Sequence, residues 1–338
     1  MEESKPTVTF IMPAYNVENY IELAVNSIKN QTIEDWELII IDDGSSDSTS
    51  SIASKLAEND NRIQYLKMPQ RSGSAYQPRK YGFERAKSEW VAPLDADDWI
   101  EETYLEQLLN LQKLTNADIV YPSMYAPDDK EGKLLTPKDQ SMLNAPFRGK
   151  ECVKYTLDGW RINCNGGIIR KEIYFNAYSL FDSSVKYSCA DELLTRQILS
   201  LTPTVAFSPA KYFYRPNEDS ITRKPSVKLF DFLINNITLT DFTKKIYSKD
   251  SEEYLLAQRQ NFHGIFNAYR ILNKFKFDKE IKTEALNLIK KSKGSIDFPA
   301  IKGRVSPRYL KLLSFPPSIT QLVLKIFDSK KKSTKSHS

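Results

Sequence analysis

Three apolar runs, residues 7–12, 36–41 and 90–94, each stop at a polar cluster, and stretches of helical periodicity lie between them. Strands that alternate with amphipathic helices build a mostly parallel sheet covered by helices, because a parallel connection needs a crossover long enough to hold a helix. Between residues 17 and 31 the apolar positions Ile21, Ala24, Val25 and Ile28 recur at i, i+3, i+4 and i+7. Ile52, Ala53, Leu56 and Ala57 mark a second helix, with Asp47 or Ser48 available to cap it. Residues 62–67 continue the strands, and a leucine-rich helix is expected over about residues 101–114. The turn-rich residues 128–149 read as an exposed connection. Strands follow at 204–208 and 212–215, with a helix at 191–200, and the pattern beyond Pro225 is helical.

Charge divides the chain at about the same place. Residues 226–338 hold 22 Lys/Arg against 10 Asp/Glu, and residues 1–225 hold 26 against 33. The acidic part reads as the catalytic domain, 1–225, and the basic part as a helical accessory region, 226–328, followed by a disordered basic tail, 329–338. Cys152, Cys164 and Cys189 are too few and too irregularly spaced for a disulfide framework or a cysteine zinc site. Both histidines, His263 and His337, lie in the basic part, so a general base in the acidic part is expected to be a carboxylate. The polar, acidic residues 1–6 are unlike a secretory leader, and no run approaches the ~20 apolar residues of a membrane span. The expectation is a cytoplasmic protein, soluble or peripheral at the inner face of the cell membrane.

Ligands of an open parallel sheet bind beyond the carboxyl ends of its strands, and the polar clusters stand there: Pro13-Ala14-Tyr15-Asn16, Asp42-Asp43-Gly44-Ser45 and Asp95-Ala96-Asp97-Asp98. Carboxylates two residues apart at a strand end suit Mg²⁺ or Mn²⁺ and leave coordination positions for a diphosphate. The plainer alternative makes Asp98 the cap of a helix starting near Trp99, with the other two aspartates solvated. A carboxylate in the 42–45 loop can accept from a nucleobase N–H, or simply shape a turn.

Taken together, the segments Val8-Thr9-Phe10-Ile11-Met12-Pro13-Ala14-Tyr15-Asn16, Ile40-Ile41-Asp42-Asp43-Gly44-Ser45, Pro78-Arg79-Lys80-Tyr81-Gly82 and Leu94-Asp95-Ala96-Asp97-Asp98 resemble the family 2 glycosyltransferases, over about residues 7–223. The resemblance implies an α/β GT-A fold, Rossmann-like, and inverting transfer from a UDP-sugar to a glycan or cell-surface polymer. It implies that Pro13, Ala14 and Tyr15 line the nucleobase pocket and that Asp43 accepts from the uracil N–H. Arg71, Arg79, Asp95 and Ala96 fall among the nucleotide-sugar contacts, with Arg79 near the diphosphate. Asp95 and Asp97 are the implied metal pair for Mn²⁺ or Mg²⁺, Asp97 the more direct ligand. Asp191, in Cys189-Ala190-Asp191-Glu192, matches the position of the family's catalytic base, although Ala190 replaces the usual Glu. Glu192 is the substitute base, and Asp191 also suits a helix N-terminus by its charge alone. Asn217 stands where the family segment has a histidine that is sometimes a metal ligand, and Lys80 replaces a common Asn. Pro78 before Arg79 is similar to wall teichoic acid glycosyltransferases.

Trp160, with Gly167 nearby, can stack on an acceptor sugar or fill the core. In the basic region Ile319, Leu322, Val323, Ile326 and Phe327 fall at helical spacing ahead of a lysine cluster, which suits either an anionic membrane or a homo-oligomer contact. No nucleic-acid reader motif accompanies the charge. A sugar nucleotidyltransferase is the rival enzyme, but it calls for a glycine-rich loop where Pro13-Ala14-Tyr15-Asn16 stands. A catalytically silent scaffold of a glycan synthesis complex is the rival outside enzymology, and the retained Asp95, Asp97 and Asp191 argue against it.

Overall fold

All seven residues of β1 (Val8–Ala14) are buried, as expected of an apolar run whose strand is covered on both faces. On one side of it lies β2 (Trp36–Asp42) with β3 (Ile63–Lys67) beyond, and on the other β4 (Trp90–Pro93), all in parallel register. The computed structural model describes residues 5–126, 132–159, 162, 166–180, 190–215 and 225–335. Among them the sheet gains β5 (Trp99–Ile100), β6 (Ile119–Ala126), β7 (Lys133–Thr136), β8 (Pro146–Phe147), β9 (Ile168–Arg170) and β10 (Val205–Phe213). Its order is β3-β2-β1-β4-β9-β6-β10-β5, with β7 on β6 and β8 on β10. β9 runs antiparallel to β4 and β6, so β6 and its parallel partner β10 point the same way as the first four strands.

The helices of this part are α1 (Ile21–Lys29), α2 (Thr49–Asn59), α3 (Tyr76–Phe83), α4 (Tyr104–Thr115), α5 (Gly149–Leu157), α6 (Lys171–Ser179) and α7 (Ala190–Leu201). On α1 the buried residues are Ile21, Ala24, Val25 and Ile28, the four positions that the periodicity marks. Each fully buried Val or Ile is worth roughly 1.5–3 kcal/mol before the entropy of ordering it. That one stripe therefore binds α1 to the sheet.

Two expectations change. Residues 128–149 are not simply an exposed connection, because β7 and β8 within them pair antiparallel with β6 and β10. The strands expected at 204–208 and 212–215 are one strand, β10, whose register against β6 shifts between Phe207 and Lys211. Pro209 sits in that gap, and a residue with no N–H to give the ladder is tolerated where a bulge takes it out of register.

The chain divides into two compact units, residues 1–182 with 194–217 and residues 183–193 with 218–338. The sheet belongs to the first. The second is built from α8 (Asp231–Ile246), α9 (Glu252–Lys274), α10 (Lys279–Gly294), α11 (Phe298–Ile301), α12 (Pro307–Leu312) and α13 (Pro317–Lys335). Phe262, Ile265, Phe266 and Tyr269 of the central α9 meet Leu233, Ile289, Leu312 and Leu324 in its core. Ser251 caps α9 by accepting from the Tyr254 N–H at 3.1 Å, and Asp278 caps α10 through the Ile281 N–H at 2.8 Å. Gly264 lets α8 and α9 close: a Cβ there meets Asn236 Nδ2 at 2.6 Å. α13 carries on to Lys335, through the lysine cluster. No described helix is long and apolar enough to cross a membrane.

Candidate active site

The carboxyl ends of β1, β2 and β4 bring the three polar clusters to one edge of the sheet, since the strands are parallel neighbours. After β1, Asn16 takes a left-handed turn at φ 52° and its carboxamide oxygen accepts from the Ser46 N–H at 2.9 Å. After β2, the Asp43 N–H donates to the Ala14 carbonyl at 2.9 Å, which ties the first two clusters together.

The adjacent aspartates of the second cluster do different work. Asp42 has no exposed surface and accepts from the Ser45 N–H at 2.8 Å, the Ser45 hydroxyl at 2.6 Å, Tyr65 Oη at 3.1 Å and the Ser50 hydroxyl. Burial pushes its carboxyl up, but the bonds from Ser45, Ser50 and Tyr65 outweigh it and leave the group below the usual carboxylate range. Asp43 instead accepts the backbone N–H groups of Ser72 at 2.7 Å and Gly73 at 2.9 Å, one on each oxygen. A carboxylate has about four lone-pair sites, so it keeps capacity for a further donor. Beside it the Arg71 guanidinium lies 4.2 Å from the centre of the Tyr15 ring, and Tyr15 is exposed.

α3 brings the buried cation. A Cβ on Gly82 lies 2.7 Å from both Ile11 Cγ2 and Ile41 Cδ1, so only a glycine lets this helix lie flush on β1 and β2. Arg79, one turn earlier on the same face, is 7% exposed, and its Nη2 donates to Asp95 Oδ1 at 2.5 Å. Pro78 falls in the first turn of α3, where its missing N–H costs no helical bond.

After β4 the chain turns back, with the Asp98 N–H donating to the Asp95 carbonyl at 3.0 Å. Asp98 does not cap a helix, as the plainer alternative has it, because β5 follows and α4 starts only at Tyr104. It is 2% exposed and accepts from Tyr212 Oη at 2.6 Å and the Arg215 N–H at 2.8 Å. Burial first, then the neighbouring charges of Asp95 and Asp97, push its carboxyl up to about 8, against those two bonds. The Arg215 Nε donates to the Asp97 carbonyl at 3.0 Å, and its guanidinium lies 4.8 Å from the Trp99 ring and 4.9 Å from that of Tyr20. Tyr212 and Arg215 were not singled out as site residues by sequence reasoning. They stand more than a hundred residues from Asp98, and only β5 pairing with β10 reveals them.

Asp95 and Asp97 stay half-exposed at this edge, and Ala96 between them is buried. Among the described residues no three His, Cys, Asp or Glu side chains converge as a metal cluster. The donor set still fits a hard cation, which takes one or two carboxylates and completes its shell with substrate phosphates and water.

Asp191 and Glu192 form the acidic first turn of α7 and are half-buried. By its contacts Asp191 groups with the second unit. Gly167 is buried at φ +81°, its N–H donates to Tyr104 Oη at 2.7 Å, and a Cβ there lies 2.3 Å from the Val120 carbonyl. Close packing thus accounts for a glycine at that position without an acceptor. Trp160 and Asn217 lie outside the described residues.

Residues 9–175 match the family model described as glycosyl transferase family 2. The glycosyltransferase GlyA of Streptococcus pneumoniae serotype 4 is 35% identical over 125 residues, 37% of this chain and 18% of that protein. The minor teichoic acid biosynthesis protein GgaB of Bacillus subtilis (strain 168) is 28% identical over 280 residues, 80% of this chain and 29% of that protein. This chain spans less than a third of either relative. The crystal structure of S. aureus TarS 1–349 in complex with UDP-GlcNAc aligns with a TM-score of 0.72 at 18% identity, over 97% of this chain and 92% of that one. The chain therefore has the GT-A fold with a helical C-terminal region.

Proposed function

Residues 9–175 are a glycosyl transferase family 2 domain, and from that premise we propose that the chain moves a sugar from a UDP-sugar to a hydroxyl of a cell-wall polymer, with inversion at the anomeric carbon. The observation that carries this reading is the Asp95-Ala96-Asp97 turn, with Arg79 locked to Asp95, one strand away from the Asp43, Tyr15 and Arg71 cluster. Adjacent strand ends then offer a base site and a diphosphate site in the order that a sugar nucleotide requires.

Tyr15 presents an aromatic face for the uracil, and Asp43, held rigid by two backbone amides, accepts the uracil N–H. Arg79 faces the diphosphate with a charge that burial keeps in place, stabilising the UDP that leaves. Asp97, with Asp95, would hold Mg²⁺ or Mn²⁺, which would supply the remaining positive charge on the diphosphate. Asp191 takes the proton of the acceptor hydroxyl as its oxygen bonds to the anomeric carbon and the bond to UDP breaks. A single displacement inverts that carbon. The nucleotidyltransferase alternative weakens further, because Pro13 and Ala14 belong to β1 and leave no glycine-rich loop there. The similarity to a teichoic acid biosynthesis protein supports a polymer acceptor.

Calorimetric titration with UDP, UDP-GlcNAc and other UDP-sugars, with and without Mn²⁺, tests the reading. Saturable, metal-enhanced binding of UDP and at least one UDP-sugar is expected. Failure of every uridine nucleotide to bind sinks it.

A further inference from the structure

α13 is amphipathic twice over. Thr320 and Leu324 are buried, the Thr320 hydroxyl donates to the Leu312 carbonyl at 3.0 Å, and Asp328 Oδ2 accepts from Arg270 Nε at 2.9 Å. Those contacts fix which side of the helix faces its own unit. At 3.6 residues per turn Leu322 and Leu324 lie on opposite sides, and the outer side is not polar. Ile319, Leu322 and Ile326, spaced i, i+3 and i+7, are 43%, 59% and 45% exposed, and Phe315, just ahead of the helix, is 38% exposed. An outward stripe of four large apolar side chains is unusual on a surface helix, whose apolar face normally points inward.

The charge around the stripe says what covers it. Residues 298–335 carry nine Lys/Arg and one acidic residue, Asp328, and that carboxylate is already paired with Arg270. Lys325 is exposed three residues on from Leu322, Arg308 and Lys311 are exposed on α12, and four further lysines follow in α13. In a two-fold dimer built on this stripe, a second copy would set the same basic flank against this one, like charge against like. A bilayer with anionic headgroups accepts both features, acyl chains for the stripe and phosphates for the lysines. We propose that the outer stripe of α13, Ile319, Leu322 and Ile326, together with Phe315 just ahead of it, is a docking surface for an anionic lipid membrane, with the basic flank of α12 and α13 on the headgroups.

The test is flotation of the full chain with phosphatidylcholine vesicles, with and without phosphatidylglycerol, beside the doubly substituted variant Leu322→Glu with Ile326→Glu and the single variant Lys325→Glu. All three positions are exposed, so the variants should fold, and unchanged far-ultraviolet circular dichroism and thermal unfolding check that they do. The parent is expected to float with anionic vesicles, weakly with neutral ones, and less at high salt. The double variant should lose at least about tenfold in partitioning and Lys325→Glu several-fold. A parent that does not float, or variants that float as well as the parent, overturn the proposal. So does a parent that sediments as a dimer, fails to float and becomes monomeric in the double variant, because the stripe then belongs to a second copy.

Discussion

The loops after β2 and β4 are both acidic, both stand at the carboxyl end of a parallel strand, and each holds a buried aspartate, Asp42 beside the buried Asp43 in one and Asp98 beside the half-exposed Asp95 and Asp97 in the other. Their buried members nevertheless differ in sign. Asp42 draws its donors from Ser45, Ser50 and Tyr65, on its own loop and adjoining elements, and is held below the usual carboxylate range. Asp98 has two donors from the far strand β10 and two carboxylates beside it, and is pushed up to about 8. The first arrangement is a settled structural anchor. The second crowds three carboxylates into one turn, where the proposed cation would relieve their repulsion, and the difference separates a self-satisfied loop from a turn whose charges call for a partner.

The comparison breaks first at Asp97. Replacing Asp97 by Ala should lower sugar transfer by about 10³-fold and weaken UDP-sugar binding in Mn²⁺, within the several kcal/mol that a metal charge contributes. Chelation should reproduce the loss in the parent and add little in the variant, as read from initial rates with and without chelator. Full parental activity after exhaustive chelation would remove the electrostatic role assigned to the turn.

A smaller effect isolates proton transfer from both acidic loops. Asp191→Asn keeps shape and hydrogen-bonding capacity but removes the base, so transfer should fall by about 10²-fold, the lower end of general-base effects. Donor affinity should stay within a few fold. Near-normal transfer would move the role to Glu192, and loss of both binding and transfer would point to a structural part for Asp191 at the start of α7.

Asp42 should show in stability and not in rate. Asp42→Asn weakens several charge-assisted bonds in a buried site and should cost about 2–3 kcal/mol, read from denaturant unfolding. The parent's carboxyl titrates at 3.8 when unfolded and lower when folded, so its contribution is complete above 3.8 and is lost as pH falls through the folded value. The Asn variant should lack that part of the acid sensitivity; an identical acid profile would deny Asp42 its anchoring role.

Least is expected of Tyr212→Phe, which removes one donor from Asp98 and leaves the Arg215 N–H in place. A destabilisation of about 1 kcal/mol is expected, with a several-fold rise in the KM for the donor and little change in kcat, because the turn loses support and not chemistry. An unaltered KM would show that Asp98 holds the turn without Tyr212.

The sequence alone determined what depends on near neighbours. Ile21, Ala24, Val25 and Ile28 announce the inward stripe of α1 because a helix repeats every 3.6 residues, and the apolar runs before Asp42 and Asp95 announce strands because a doubly covered strand is apolar throughout. Parallel strands end together, so three polar clusters a few dozen residues apart were readable as one edge. The tertiary structure alone decided what depends on distant ones. Asp98 turned from a helix cap into the acceptor of Tyr212 and Arg215, Arg79 found Asp95, and Pro209 became a bulge inside one strand instead of a break between two. α13 was legible as amphipathic, but not that Leu324 turns in while Leu322 and Ile326 turn out. Periodicity fixes the angle between side chains on a helix, and only the surface it packs against fixes which of them face water.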